Sequence, residues 1–208
     1  MTSRMLHDIS EYYSNKLAEF GCTPRGVDWN GTESQENRFS QLMEVCKNQK
    51  NFTLGDYGCG YGALLDFLKS DKRLEAYKGF DISESMIHRA REAHTGFLHA
   101  TFTNNSADLK GVDYLVASGV FNVRLENSDS KWASYIKETL HEINLLCTKG
   151  FSFNALTSYS DKEKMRDYLF YSDPLELFDY CKRSFSKQVA LLHDYGLYEF
   201  TIVVRKSS

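Results

Sequence analysis

Proline is nearly absent, two residues in 208, and no Gly/Ser tract, internal repeat or low-complexity run interrupts the chain. Nothing therefore reads as a linker, and residues 1–208 are expected to form a single domain. An excess of positive charge is also missing. The 25 Lys and Arg stand against 28 Asp and Glu, a net charge of −3, which offers no basic face for neutralising a nucleic-acid backbone. The longest apolar run, around Tyr114–Val123, falls well short of the roughly 20 residues that span a bilayer. The opening MTSRMLHDIS has no hydrophobic signal core. The five cysteines (Cys22, Cys46, Cys59, Cys147, Cys181) are odd in number and contain no CxxC pair. That pattern argues against a disulfide framework or a zinc site, and for a reducing compartment. These absences set the expectation of a cytoplasmic protein, monomer or homodimer, acting on a small molecule without metal, membrane or nucleic-acid partner.

What is present alternates in type. Met5, Leu6, Ile9, Tyr12, Tyr13, Leu17 and Phe20 share one face at helical spacing, and Gly21 stops the helix. A turn-rich stretch from Cys22 to Gly31 follows, with Pro24, Gly26 and Trp29. Thr32 with Gln35 predicts a capping box opening a helix to about Lys47, with Phe39, Leu42, Met43 and Cys46 inward. Residues 1–50 thus read as a helical N-terminal extension or lid, and 51–208 as the core. In the core, Phe52–Tyr57, Tyr77–Phe80, Gly96–Phe102, Val112–Ser118 and Phe151–Leu156 read as strands. Helices fall between them: one carrying Leu64, Leu65, Phe67 and Leu68, one capped by Ser83 with Met86, Ile87 and Ala90 inward, and one from Ser130 to about Cys147, stopped near Gly150. Asp173-Pro174 opens a last helix carrying Leu177, Phe178 and Cys181. Lys187–His193 and Tyr198–Val204 are joined by four residues only, too few for a parallel crossover. The expected fold is a doubly wound α/β domain with a mostly parallel sheet, an antiparallel last strand and helices on both faces.

The densest chemical signal is Leu54-Gly55-Asp56-Tyr57-Gly58-Cys59-Gly60-Tyr61-Gly62, which follows a strand and opens a helix. In a doubly wound sheet such a turn lies at the carboxyl ends of the strands, beside the switch in strand order. Asp81 closes the next strand, 23 residues after Gly58, where a carboxylate accepts hydrogen bonds from ribose hydroxyls and repels phosphate. Together the two features point to an adenosine-bearing ligand. Gly58-x-Gly60-x-x-Ala63 also satisfies the looser dinucleotide fingerprint of oxidoreductases. Asp56, the extra Gly62 and the terminal hairpin speak against that reading, because a negative charge suits an ammonium-bearing amino acid better than a pyrophosphate.

The D-x-G-C-G-x-G run at Asp56–Gly62, with an acidic residue ending the second strand, resembles the class I S-adenosylmethionine-dependent methyltransferases over about residues 51–206. The resemblance implies a seven-stranded Rossmann-like sheet and S-adenosylmethionine as cofactor. Carried over by position, Gly58, Cys59, Gly60 and Gly62 surround the methionine moiety and Asp56 orders the loop. Asp81 takes the ribose, Ile82 and Met86 flank the adenine, and Ser118, Gly119 and Phe121 line the other side. The family's Asp near the end of the third strand is missing, so Asn104 is the candidate for the adenine amino group. N-terminal segments of the family fold over the cofactor, which makes Trp29 the expected lid and Arg38 or Gln35 the partner of the methionine carboxylate.

The acceptor side is less legible. Asn122, Tyr159 and Tyr13 are the substrate-facing candidates, the segment Tyr168–Tyr171 is a candidate cover for the same mouth, and His193 and His141 are the candidate general bases. Methyl transfer to an oxygen or nitrogen of a small molecule is the leading expectation. Against a nucleic-acid enzyme, Ser118-Gly119-Val120-Phe121-Asn122 replaces the Asn/Asp-Pro-Pro-Tyr run that holds a flipped base. A protein or RNA substrate, or a non-catalytic S-adenosylmethionine-binding regulator, remains the alternative.

Overall fold

Alternating apolar side chains on seven short strands build a two-faced sheet in the computed structural model, which describes residues 3–29 and 31–206. Asn30, in the middle of the expected lid, lies outside the described residues. The strands are β1 (Phe52–Tyr57), β2 (Leu74–Phe80), β3 (Ala100–Thr103), β4 (Val112–Ala117), β5 (Cys147–Leu156), β6 (Gln188–Leu192) and β7 (Glu199–Arg205). Their order is β3-β2-β1-β4-β5-β7-β6. Pairs from β3 through β5 are parallel, and β7 runs antiparallel to both β5 and β6. This is the expected sheet, with the hairpin strand inserted between β5 and β6.

Among the described residues six helices cover it: α1 (Ser3–Phe20), α2 (Thr32–Met43), α3 (Ala63–Leu68), α4 (Glu84–Ala93), α5 (Asp129–Leu146) and α6 (Pro174–Ser184). Side chains two apart on a strand share a face. On β4, Leu115 and Ala117 meet Trp132, Ile136, Leu140 and Ile143 of α5, in a core that also takes Ile9 of α1 and Leu177 and Cys181 of α6. Tyr114 and Val116 turn the other way, onto Phe39 and Leu42 of α2, Leu64 and Leu65 of α3 and Ile87 of α4. Each such leucine contributes about 1.5–3 kcal/mol by burial. Trp132 is fully buried because its indole N–H donates to the Phe121 carbonyl at 2.8 Å, leaving no polar atom orphaned.

Ser83 caps α4 by accepting from the Met86 N–H, and Asp173 caps α6 by accepting from Leu175 and Glu176. The expected box at Thr32 does not form: Gly31 holds the N-cap position, no side chain caps it, and Thr32 is already helical. α2 tightens into a 3₁₀ turn at Glu44–Cys46. On α3, Leu64, Leu65 and Leu68 are buried while Phe67 is 37% exposed. β3 is shorter than expected and starts at Ala100. β5 starts earlier, because Cys147 pairs with Val112 directly after α5, so Gly150 lies within a strand rather than ending a helix. Among the described residues no helix is long and apolar enough to cross a membrane.

Candidate active site

The order of strands reverses between β1 and β4, so their carboxyl ends open a crevice there. The turn after β1 fills its floor. Gly58, Gly60 and Gly62 all have positive φ. A Cβ added to Gly58 would stand 2.6 Å from Val120 Cγ2, so the turn can approach the β4 loop only as glycine. A cavity of about 220 Å³ lies over this turn. Its floor includes Asp56, Gly58, Cys59 and Gly60. Its sides include Asp81, Ile82 and Met86 from the β2–α4 turn, and Ser118, Gly119 and Val120 after β4.

Asp81 is the carboxylate that fixes the loop. The Gly60 N–H donates to Oδ2 at 2.9 Å and the Ser83 N–H to Oδ1 at 2.8 Å. Burial pushes its carboxyl up to about 6, and those two N–H donors oppose the rise. Asp56, the residue expected to order the loop, accepts from the Tyr77 hydroxyl at 2.5 Å. Only 2% exposed, it is pushed by burial up to about 7; the Tyr77 bond lowers that value and the charge of Asp81 raises it. Burial also holds the Cys59 thiol and the Tyr13 phenol protonated, well above their ordinary values.

The roof comes from the N-terminal segment. Leu6, Ile9 and Tyr13 of α1, Val27 and Trp29 of the following turn, and Gln35 and Phe39 of α2 all line the cavity. α1 is tied down by two serines: Ser10 donates to the Ile82 carbonyl, and Ser14 shares a 2.9 Å hydrogen bond with Ser83. Trp29 is braced from behind. The Arg38 guanidinium stacks 3.9 Å from the ring and is held by Glu199, through Nε at 2.9 Å and Nη2 at 2.8 Å. Glu199 also accepts from Asn154 Nδ2 at 2.8 Å, and Asn154 Oδ1 accepts from the Gly119 N–H at 2.7 Å. One buried chain of bonds therefore links the lid, α2, β7, β5 and the β4 loop.

Several expected residues stand elsewhere. Arg38 is absent from the cavity wall, engaged behind Trp29, although its Nη1 is buried without a partner; Gln35 does line the wall. Phe121 packs in the core against Tyr135 and Phe153 instead of facing the cavity, since the chain after Val120 turns inward. Asn104 is exposed and off the wall. Asn122 is buried and its Oδ1 accepts from the Leu156 N–H, which makes it a fastener of the β5 end. Tyr159 is 65% exposed and packs on His193, while His193 and His141 are both exposed and away from the cavity. The segment Tyr168–Tyr171 forms no helix: Tyr168 accepts from the Arg124 and Leu125 N–H groups and packs on Tyr12.

Several wall residues carry no site signal in the sequence, Ser106, Tyr135 and Glu142 among them. Ser106 donates to Glu142 Oε1 at 2.5 Å and the Tyr57 hydroxyl to Oε2 at 3.0 Å. Ser106 and Glu142 are 36 positions apart, and no local pattern joins them.

Comparison with known proteins agrees with this geometry. No family model matches the chain. A Mycobacterium tuberculosis protein, Putative methyltransferase Rv1506c, is 51% identical over 166 residues, 80% of this chain and all of that protein. The N-methyltransferase NodS of Bradyrhizobium japonicum, solved with S-adenosylhomocysteine, superposes with a TM-score of 0.66 at 13% identity over 96% of this chain and 98% of that one. Magnesium protoporphyrin IX methyltransferase of Synechocystis, solved with S-adenosylmethionine, gives 0.64 at 14% identity over 97% of each. The methyltransferase domain of a bacterial Hen1 gives 0.63 at 16% identity over 84% of this chain and 99% of that one. The residues fit the shared cofactor: Gly58, Cys59 and Gly60 leave the cavity floor to backbone, and the half-buried Asp81 keeps a carboxylate on the wall. The chain belongs to the class I S-adenosylmethionine-dependent methyltransferases.

Proposed function

We propose that this methyltransferase acts on an oxygen or nitrogen of a small molecule. The roof carries the reading. α1 and Trp29 close over the cofactor cavity, which favours an acceptor small enough to reach the glycine turn beneath them. A net charge of −3 gives a polyanion no steering field. The NodS and protoporphyrin enzymes support the reading as well. Their likeness reaches 96–97% of the chain, which is unattainable without the roof-forming N-terminus, whereas that of the Hen1 domain stops at 84%.

S-adenosylmethionine supplies an activated methyl group on a sulfonium. The protein's part is to bind, align and keep water out. Asp81 offers the acceptor for ribose hydroxyls, with Ile82 and Met86 as apolar neighbours for the adenine. The Gly58–Gly60 backbone and Asp56 form the pocket for the amino acid, and the Asp56 charge favours an ammonium there. Ser118 Oγ, on the cavity wall and buried without a partner, is a free hydrogen-bonding group at the mouth of the β4 loop. Tyr13 presents an aromatic wall over the same space, where a ring face stabilises positive charge. No histidine lies on the wall, so proximity and desolvation, rather than a dedicated imidazole base, are the protein's main contribution.

The test is a transfer assay with methyl-labelled S-adenosylmethionine, offered small hydroxyl and amine acceptors, total RNA and a denatured protein pool in parallel. Label in small acceptors is expected. Label confined to RNA or protein refutes the proposal, and tight S-adenosylhomocysteine binding without any turnover identifies a regulator instead.

A further inference from the structure

A second hollow of about 250 Å³ adjoins Trp29, lined by Lys16, Phe20, Arg25, Asp28 and Trp29. Trp29 is the wall common to both. The two compartments also share a ceiling. Leu6, Ile9 and Tyr13 of α1 face the cofactor cavity and Lys16 and Phe20 face the hollow, at successive steps of three, four, three and four residues. That is one stripe along one helix, about 21 Å long at 1.5 Å per residue. Both compartments thus lie under one face of a single helix.

The lining of the hollow carries two cations, Lys16 and Arg25, against one carboxylate, Asp28. Asp28 is satisfied within the protein, accepting from the Tyr12 hydroxyl at 2.8 Å and pairing with Lys16 at 3.0 Å. Glu19 adds a negative charge near Lys16 from α1, off the lining of the hollow. Arg25 is exposed and makes no ion pair among the described residues. Its planar fork matches a carboxylate or a phosphate, and Phe20 and Trp29 offer apolar faces on either side of it. We infer that this hollow is the acceptor site and that the acceptor is a small molecule carrying a carboxylate or phosphate group, anchored by Arg25, with its apolar body against Trp29. The inference rests on the small-molecule reading above.

The experiment titrates phenyl phosphate, benzoate and benzyl alcohol into S-adenosylhomocysteine-loaded protein by calorimetry. At least one anion is expected to bind tenfold or more tightly than the neutral alcohol, and the better of the two identifies the group as phosphate or carboxylate. Arg25→Ala abolishes that preference and Arg25→Lys restores part of it; Arg25 is exposed, so both variants fold. Equal affinity for the three probes, or an anion preference indifferent to Arg25→Ala, overturns the inference. The two readings fail separately. An Arg25-dependent anion preference with label found only in RNA or protein refutes the small-molecule function, whereas label in neutral small acceptors with an indifferent Arg25 refutes the anionic anchor.

Discussion

Asp56 is a carboxyl group almost sealed from solvent, and its replacement by asparagine should stabilise the protein at neutral pH while weakening the cofactor. Burial raises the group from 3.8 to about 7. One pH unit is worth ~1.4 kcal/mol between the two protonation states, so the charged form costs the folded protein about 4 kcal/mol. The sign follows from the direction of the rise. Because the folded protein holds this proton more tightly than the unfolded chain, stability is fully present below about pH 4 and is lost as pH climbs through about 7, the reverse of an ordinary salt-bridged aspartate. Asp56→Asn keeps the shape and leaves an oxygen for the Tyr77 hydroxyl, but carries no charge to bury. Wild type and variant should therefore unfold alike near pH 4. By pH 8 the variant should be the more stable by up to about 4 kcal/mol, roughly 10 °C in Tm for a domain of this size. Urea unfolding followed by circular dichroism at half-unit pH steps measures the difference. A gap between the two curves that does not change from pH 4 to 8 would refute the assignment of a strained, buried carboxylate. If the charge is kept for the ligand's ammonium, the variant should also bind S-adenosylhomocysteine at least tenfold more weakly at pH 8. The stabilised protein would then be the poorer enzyme.

Asp81→Ala removes the bonds that hold the Gly60 and Ser83 amides together with the ribose acceptor, and should weaken S-adenosylhomocysteine by about 10²-fold in calorimetry, since bonds to a charged group contribute about 1.5–3 kcal/mol each. Gly119→Ala should cost about 1–2 kcal/mol from its φ of +73° alone. It should also displace Trp29, whose Cζ2 would stand 2.5 Å from the new Cβ, visible as a change in tryptophan emission. Glu199→Gln leaves the 94%-buried Arg38 without a counter-charge and should destabilise the protein by about 3–5 kcal/mol in denaturant unfolding, with Trp29 loosened because its brace is gone.

Legibility in the sequence followed the range of the physics involved. β1, the glycine turn, the Ser83 and Asp173 caps and the terminal hairpin were all readable, because each is decided by backbone geometry or side-chain alternation within about ten residues. Of the glycine-turn residues expected at the cofactor, Gly58, Cys59 and Gly60 line the cavity together with Asp81, Ile82 and Met86, whereas Gly62 opens α3 off the wall. Errors began where the deciding contact is distant. Thr32 fits a capping box on paper, yet the chain enters α2 from Gly31. Phe121 sits beside Gly119 and Val120 in sequence, but the turn after β4 sends it into the core.

Arg38 shows most clearly why the acceptor side resisted. From sequence it is a free cation near the lid, the natural partner for a carboxylate. Its real partner is Glu199, 161 positions away on the reversed strand, and nothing local announces a buried acid there. The cation without an ion pair on the lining of the outer hollow, among the described residues, is instead Arg25, in a turn that looks like an ordinary connector. The glycine turn carries its ligand preference in its own backbone, so it can be recognised wherever it occurs. The roof carries none until α1, the Pro24–Trp29 turn and α2 are brought together over the sheet. For that reason the cofactor was identifiable from the glycine turn together with Asp81, while the acceptor chemistry proposed above rests on which of two arginines tertiary packing leaves unpaired.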